Sequence, residues 1–185
     1  MCIRDRYLAA VLSKEGNPDI FRYDLENDKW KQLTDHFGID TEPDWSPDGR
    51  KIIFTSNRSG SPQIYEMNVS NRKIRRKTFE GTYNARARYT PDGKSFVFVH
   101  RRDGLFHIAV QNLRTSKLKI LTDTTLDESP TISPNGKVII YATKDKEKDI
   151  LAGISIDGKT RFILPTNSGG VREPSWSPLL VSTGN

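Results

Sequence analysis

The chain has 185 residues, of which 35% are hydrophobic and 9% aromatic, and its formal net charge is +6. This apolar content is sufficient for a folded core, whereas no apolar run approaches the roughly 18 residues that a membrane helix needs. A single cysteine, Cys2, excludes a disulfide framework and a cysteine-based metal site. We therefore expect a protein with a folded core and no direct membrane insertion.

The two ends of the chain differ from the rest. Residues 1–6 match no other part of the sequence and contain no apolar segment of the kind found in signal peptides. We interpret residues 1–6 as a leader that is not native to the protein and residues 181–185 as a tail.

Between these ends, a Ser-Pro-Asp-Gly sequence and its variants recur at a constant interval. Pro47, Pro91, Pro134 and Pro178 are separated by 44, 43 and 44 residues. Two further sets of residues recur every 44 positions: Ile20, Ile64 and Ile108, and Thr34, Thr78 and Thr122. A repeat of this length made of short strands is typical of a β-propeller blade. The predicted fold class is all-β, a propeller fragment built from four-stranded antiparallel blades.

Each repeat predicts four strands in a fixed order. The first ends at the repeated turn, where proline fixes φ and glycine tolerates a positive φ. The second is a run of β-branched and aromatic residues such as 51–55, which is typical of a strand buried on both faces. The third, such as 63–69, alternates in polarity, and the fourth, such as 73–77, is charged, as expected of an exposed sheet edge.

The repeats define a partial propeller over residues 7–180. We predict an incomplete blade without its first strand, three further blades and a terminal closing strand, at 7–40, 41–84, 85–127, 128–171 and 172–178. The two incomplete ends could complete one another in a four-bladed ring, but a fragment of a larger ring is favoured because four blades is the lower limit of the usual range.

The sequence offers no catalytic motif. It lacks a Gly-x-Ser-x-Gly elbow, a Walker loop and a His-Glu-x-x-His sequence. His36, His100 and His107 fall at different repeat positions, which argues against a metal triad. We therefore predict no catalytic residues and no cofactor.

One acidic group leaves an alternative open. The carboxylates of Asp40, Glu42 and Asp44 alternate along one predicted strand and could hold Ca²⁺ in the channel. The next repeat carries Arg86 and Arg88 instead, so the charge reverses in the neighbouring blade.

Basic residues cluster at 72–77 and 100–102. Such clusters can indicate binding to nucleic acid or anionic lipid. The first cluster occupies a fourth-strand position and has no interleaved aromatic residues on which bases could stack. We interpret both clusters as solvated surface and predict no nucleic-acid partner.

The loops that lead into the first strands vary between repeats. They lie at 38–42, 82–86, 125–128 and 170–173, and repeat symmetry places them together at one mouth of the ring. Their apolar tips and mixed charges suit a protein or peptide partner, since repeat proteins vary the loops of their binding face. The alternative is that these are ordinary solvated loops.

Three segments carry a resemblance to a known family. Glu-Pro-Asp-Trp-Ser-Pro-Asp-Gly at 42–49, Leu-Asp-Glu-Ser-Pro at 126–130 and Glu-Pro-Ser-Trp-Ser-Pro-Leu-Leu at 173–180 resemble the C-terminal propeller of the TolB family. The resemblance extends from Tyr7 to about Leu180. It implies a six-bladed parent ring, no enzymatic activity and a location in the periplasm, within the Tol-Pal system that maintains outer-membrane integrity and supports cell division.

The resemblance also implies partners and a site. The expected partner is the lipoprotein Pal, bound at one mouth of the ring, and other Tol proteins and colicin peptides are further partners of the family. Thr41 matches a position tied to Pal binding, and the remaining candidates are assigned by repeat position. They are Glu42, Tyr83, Arg86, Leu126, Asp127, Glu128, Val171 and Arg172. The alternative is the propeller of a prolyl-oligopeptidase-like serine peptidase, which would need a separate hydrolase domain with a Ser-His-Asp set.

Overall fold

The structure, a computed structural model, describes residues 2–4, 6–14, 16–146, 148–165 and 170–177. The strands in these ranges form four separate sheets of four strands each, and every pair of neighbouring strands is antiparallel. No helix in the described ranges is long and apolar enough to cross a membrane. The predicted all-β architecture of four-stranded antiparallel blades is confirmed.

Each sheet is one blade, and its strands follow chain order. Blade 1 consists of β1 (Cys2–Arg4), β2 (Tyr7–Lys14), β3 (Asn17–Asp24) and β4 (Lys29–Gln32). Blade 2 consists of β5 (Asp40–Trp45), β6 (Lys51–Ser56), β7 (Gln63–Asn68) and β8 (Ile74–Arg76). Blade 3 consists of β9 (Asn84–Tyr89), β10 (Ser95–Arg102), β11 (Leu105–Asn112) and β12 (Leu118–Ile120). Blade 4 consists of β13 (Glu128–Ile132), β14 (Val138–Asp145), β15 (Lys148–Ser155) and β16 (Arg161–Leu164).

The second strand of each inner blade explains how the blades pack. In β6, Ile52 and Phe54 belong to the core between blades 1 and 2, whereas Ile53 belongs to the core between blades 2 and 3. In β10, Phe96 and Val97 divide in the same way between the cores on either side of blade 3. These strands are apolar at successive positions because both of their faces are covered by another blade.

The first blade differs from the prediction. We expected its innermost strand to be missing, but Cys2–Arg4 pairs with β2 in an antiparallel register. An unpaired strand edge presents a row of free N–H and C=O groups, and any extended segment within reach can pair with it. That residues 1–6 are non-native stays a prediction.

The repeated turn has the same hydrogen bonds in three blades. The hydroxyl of Ser46 donates to Asp48 at 2.6 Å and accepts the N–H of Lys51 at 2.9 Å. The pairs Thr90 with Asp92 and Ser133 with Asn135 repeat this arrangement. Each of these first strands ends directly before its turn. The loop that leads into the strand therefore lies at the opposite end of the blade.

The recurring threonines bind the third strands. The hydroxyl oxygens of Thr34, Thr78 and Thr122 accept the main-chain N–H groups of Ile20, Ile64 and Ile108 at 2.9, 3.0 and 2.9 Å. All three threonines are buried. Each hydroxyl therefore satisfies a buried donor just beyond the short fourth strand, which accounts for both 44-residue spacings.

The predicted closing strand lies partly outside the described residues, because they end at Ser177. Within 170–177 no strand forms, since no described second strand pairs with this segment. The segment nevertheless lies against blade 4, where the Trp176 indole N–H donates to the carbonyl of Thr131 at 3.4 Å.

Candidate partner-binding site

The innermost strands of blades 2, 3 and 4 line one groove with residues 173–175. The groove has a volume of about 960 Å³. Its lining includes Thr41, Glu42, Arg86, Ser129 and Glu173. The first four lie near the start of their strands, at the predicted mouth, whereas Glu173 lies in a segment without a strand.

One backbone feature repeats around this groove. Glu42, Arg86, Ser129 and Glu173 have φ values of 57°, 58°, 53° and 53°, in the left-handed region. The first three lie where the register between first and second strands shifts. A bulge of this kind bends its strand and re-aims a side chain, and here it presents one residue per blade to the groove.

Glu42 connects blade 2 to blade 3. Its Oε2 accepts the hydroxyl of Thr55 at 2.7 Å and the main-chain N–H of Arg86 at 2.9 Å. Its Oε1 lies 3.2 Å from Nε of Arg86. The carboxylate of Glu42 is thus held by three donors.

Arg86 extends this connection across the groove. Its Nη1 donates to the Ser129 hydroxyl at 2.6 Å and lies 3.5 Å from the Glu173 carboxylate. A single guanidinium therefore joins the equivalent residues of three blades or blade segments. Arg86 is the basic residue among these four equivalent positions, and its side chain contacts the other three.

A second group of candidates lies at the outer part of the mouth. The rings of Tyr83 and Phe106 meet edge to face with centroids 5.4 Å apart. Phe106 also bonds the loop before blade 4, through its N–H to the carbonyl of Thr125 and its carbonyl to the N–H of Asp127. Leu126, between these two residues, is 41% exposed. Burial raises the pKa of Tyr83.

Asp127 does not reach the surface. Its side chain is fully buried, and its carboxylate accepts hydrogen bonds from the hydroxyls of Thr122 and Thr124. A buried carboxylate with these partners shapes the loop but cannot contact a partner directly. The assignment of Asp127 as a contact residue therefore does not fit its position.

The remaining candidates form a small charged cleft. Arg172 lies 3.7 Å from Glu128 and 3.5 Å from Asp149. Val171 lines the same cleft. The Arg172 side chain is 65% exposed, so these ion pairs are accessible to a partner and individually weak.

Thr41 belongs to the groove. It is half-buried, lines the groove and stands opposite Thr55 in the blade 2 register. Its position near the start of β5 places it at the mouth, next to Glu42.

The acidic group does not form a common site. Asp40 is bound by Arg58 at 2.7 Å, Glu42 by Arg86 and Thr55, and Asp44 by the main-chain N–H of Tyr89 at 2.9 Å. Among the residues that the structure describes, no cluster of three or more histidine, cysteine, aspartate or glutamate side chains could hold a metal ion.

Sequence reasoning missed two exposed aromatic residues near the mouth. Phe37 is 88% and Phe79 is 70% exposed, and both lie in loops that follow a fourth strand. The guanidinium of Arg76 lies over the Phe79 ring at 5.2 Å from its centroid. An aromatic residue in an otherwise polar loop was the signal that could have revealed them.

Blades that pack face to face, with their innermost strands around one groove, define a β-propeller with a mouth formed by varied loops. The family described as the TolB beta propeller domain, PD40, matches residues 5–180. The chain therefore belongs to this family, and the predicted resemblance is confirmed.

Known relatives agree with this assignment. The Tol-Pal system protein TolB of Pseudomonas fluorescens is 56% identical over 68 residues, which are 37% of this chain and 16% of that protein. The corresponding protein of Pseudomonas aeruginosa is 52% identical over the same length. The crystal structure of TolB from Acinetobacter baumannii superimposes with a TM-score of 0.88 at 44% identity, covering 94% of this chain and 44% of that one. The chain spans less than half the length of these relatives.

More distant structures share the fold. A puromycin hydrolase matches with a TM-score of 0.69 and 10% identity, covering 85% of this chain and 26% of that one. This level of identity shows a common propeller architecture and carries no functional assignment.

Proposed function

We propose that this chain is part of a non-catalytic docking platform that binds the lipoprotein Pal in the periplasmic Tol-Pal complex. In this role it helps to maintain outer-membrane integrity and supports cell division. The observation that carries the proposal is the mouth itself, where exposed apolar tips and accessible charges surround a groove in a chain of the TolB propeller family.

The chemistry of the mouth suits a protein partner. Tyr83 and Leu126 offer partly exposed apolar surface beside the accessible guanidinium of Arg172. Tyrosine and arginine are enriched among the residues that dominate protein–protein binding energy. Other Tol proteins and colicin peptides would meet the same surface and compete for it.

The groove lacks the arrangement that hydrolysis requires. Its Ser129 hydroxyl accepts a hydrogen bond from Arg86, which cannot act as a base near neutral pH. A serine nucleophile instead needs an adjacent base that is oriented by a third group. The peptidase alternative places its catalytic serine in a separate hydrolase domain, and the observation in its favour is the propeller fold shared with a puromycin hydrolase at 10% identity.

Calorimetric titration against purified Pal, produced without its lipid anchor, tests the proposal. The variants Thr41→Arg and Leu126→Arg place charge at the mouth without removing an ion pair. Thr115→Arg is the matched control, because it adds the same charge at an exposed residue in the turn between β11 and β12, at the opposite end of blade 3.

We expect Pal to bind the unmodified chain and the control, and each mouth variant to weaken binding at least about tenfold. Circular dichroism establishes that the variants are folded. Absence of binding by the unmodified chain, or equal losses in the control and the mouth variants, would refute the proposed function.

A further inference from the structure

A pocket lies between blades 3 and 4, at the end of the blades opposite the mouth. Its volume is about 490 Å³. It is lined by residues of the repeated turns in both blades and of the strands beside them, namely Thr90, Pro91, Asp92, Ser95, Val110, Asn135, Gly136 and Ile156. We name this gap the junction pocket.

The junction between blades 2 and 3 is filled at the corresponding place. Tyr89, on the innermost strand of blade 3, is buried, and its hydroxyl donates to the carboxylate of Glu66 in blade 2 at 2.9 Å. The ammonium group of Lys51 lies 3.1 Å from the same carboxylate. A phenol ring and an ion pair therefore close this junction.

The junction between blades 1 and 2 is filled by other large side chains. The rings of Trp45 and Tyr7 are stacked with centroids 6.5 Å apart, and the guanidinium of Arg22 lies 4.2 Å from the centroid of the Tyr7 ring. These three residues are the repeat equivalents of Tyr89, Lys51 and Glu66. Both earlier junctions thus contain an aromatic ring from the innermost strand.

The junction between blades 3 and 4 has smaller side chains at all three positions. They are Ser95, Val110 and Ile132. Ser95 and Val110 line the junction pocket, and Ile132 is half-buried against the core between the two blades. The pocket exists because a ring and two long side chains are replaced together at one junction.

The repeat indicates which ligand shape the junction pocket fits. An aromatic side chain belongs to the core at both earlier junctions, where Trp45 and Tyr89 hold the position of Ile132. Pro91, Val110 and Ile156 give the pocket apolar walls. Its volume also lies within the range of roughly 300–1,000 Å³ that small-molecule sites have. An aromatic ring from a ligand can therefore occupy the space that the chain leaves open.

Asp92 places a negative charge at the edge of the junction pocket. Its Oδ1 accepts the hydroxyl of Thr90 at 2.6 Å and the main-chain N–H of Lys94 at 3.0 Å. The hydrogen bond from Thr90 lowers the pKa of Asp92, so the carboxylate is ionised at neutral pH. Among the described residues, no basic side chain forms an ion pair with Asp92. A cationic group on the ligand can therefore pair with it.

The surroundings of the junction pocket favour a small molecule over a polypeptide. Within the described ranges, none of the exposed large hydrophobic residues lies in the framing turns at 90–95 and 133–138. The centre of a protein–protein interface is instead apolar and rich in aromatic residues. We propose that the junction pocket binds a small aromatic amine, with its ring between blades 3 and 4 and its ammonium group at Asp92.

Tyramine serves as the probe, because it combines a phenol ring with an ammonium group. Its binding to the unmodified chain is followed by amide NMR spectra, which also locate the residues affected. Two comparison ligands separate the contributions: 4-ethylphenol has the ring without the charge, and butylamine has the charge without the ring. An acetylated and amidated Lys-Tyr dipeptide represents a polypeptide source of the same groups.

Two kinds of variant test the pocket. Ser95→Lys/Val110→Glu/Ile132→Tyr introduces the residues that close the junction between blades 2 and 3. Asp92→Asn removes the charge but keeps the turn, because Asn135 makes the equivalent hydrogen bonds in blade 4. Asp48→Asn is its matched control, since it makes the same change in the turn of blade 2, at the junction that Tyr89 fills.

We expect tyramine to shift the amide resonances of residues 90–95 and 135–136 in the unmodified chain and in Asp48→Asn with equal affinity. Asp92→Asn should bind about two- to fivefold more weakly, as should the unmodified chain with 4-ethylphenol, because each comparison removes one partly exposed ion pair. Butylamine and the triple variant should give no shifts at these residues.

Several outcomes would overturn the proposal. They are absence of tyramine binding, shifts confined to other residues, equal affinities in Asp92→Asn and Asp48→Asn, and unchanged binding by the folded triple variant. Tighter binding of the dipeptide than of tyramine would assign the pocket to a polypeptide. If the triple variant does not fold, the comparison of Asp92→Asn with Asp48→Asn decides.

Discussion

Both carboxylate oxygens of Glu42 are bound by Arg86, one through the guanidinium at 3.2 Å and the other through the main-chain N–H at 2.9 Å. The two residues hold the same position in consecutive blades. Their pairing joins the innermost strands of blades 2 and 3 where both strands line the groove.

A charge exchange tests this pairing. Arg86→Glu would gather three carboxylates in the groove, and we expect it to lower the free energy of unfolding by about 1 kcal/mol because the pair is partly solvated. Adding Glu42→Arg should recover part of that loss. Urea unfolding of both single variants and the double variant measures the coupling, and purely additive effects would show that the pair contributes nothing.

The hydroxyl group of Thr78 is predicted to stabilise the folded state. The group accepts the N–H of Ile64 at 3.0 Å and donates to Gln63 at 2.7 Å in a buried site. Thr78→Val has nearly the same volume but leaves a buried donor unpaired, so we expect a loss of about 1–3 kcal/mol in urea unfolding. Thr78→Ser keeps the hydroxyl and should lose less. Equal losses in the two variants would assign the effect to packing.

Gly153 provides a test of cross-strand packing. It stands opposite Phe162, and a Cβ at this position would lie 2.2 Å from the Phe162 ring. We expect Gly153→Ala to displace the ring and lower the midpoint of thermal unfolding. In a Phe162→Ala background the same change should be neutral or stabilising, since glycine is unfavourable within a strand. A decrease of equal size in both backgrounds would contradict this account.

His100 should make stability dependent on pH. Burial lowers the pKa of His100, so the folded protein holds it neutral. The unfolded chain protonates it at its ordinary pKa of about 6.5, and the unfolded state then binds more protons than the folded state. The free energy of unfolding is therefore expected to fall as pH decreases from about 7 to about 5.

His100→Gln is the comparison for this pH effect. It removes the titrating group and leaves His36 and His107 in place. We expect a shallower decrease of the urea midpoint between pH 7 and 5 in this variant. Identical pH profiles would show that His100 does not cause the dependence.

The blade architecture was predictable because every blade repeats the same strand order and the same pattern of apolar residues. Phe54 and Ile53 face different neighbours, so a strand with two buried faces must be apolar throughout, and this pattern is visible in the sequence. The pairing of Cys2–Arg4 was not predictable in this way. It depends on the open edge of β2, and three residues without periodicity carry no signal of such a contact.

The site was predictable in position more than in detail. Repeat symmetry correctly located Glu42 and Arg86 at equivalent points, but their ion pair arises from the approach of two blades. Asp127 was predicted to be an exposed loop residue because it is charged. Its carboxylate is instead buried and accepts hydrogen bonds from the hydroxyls of Thr122 and Thr124. Phe106 was not among the predicted candidates, although its ring packs on Tyr83 and its backbone anchors the next loop.

The left-handed residue that recurs at one position of each repeat has a further consequence. The four copies differ in charge and size, being glutamate, arginine, serine and glutamate, yet their φ values lie within 53–58°. The conformation is therefore imposed by the blade and is independent of the side chain. A substitution at one of these positions would therefore change the charge that one blade presents to the groove without changing the backbone. The set of partners that the groove can bind would change with it.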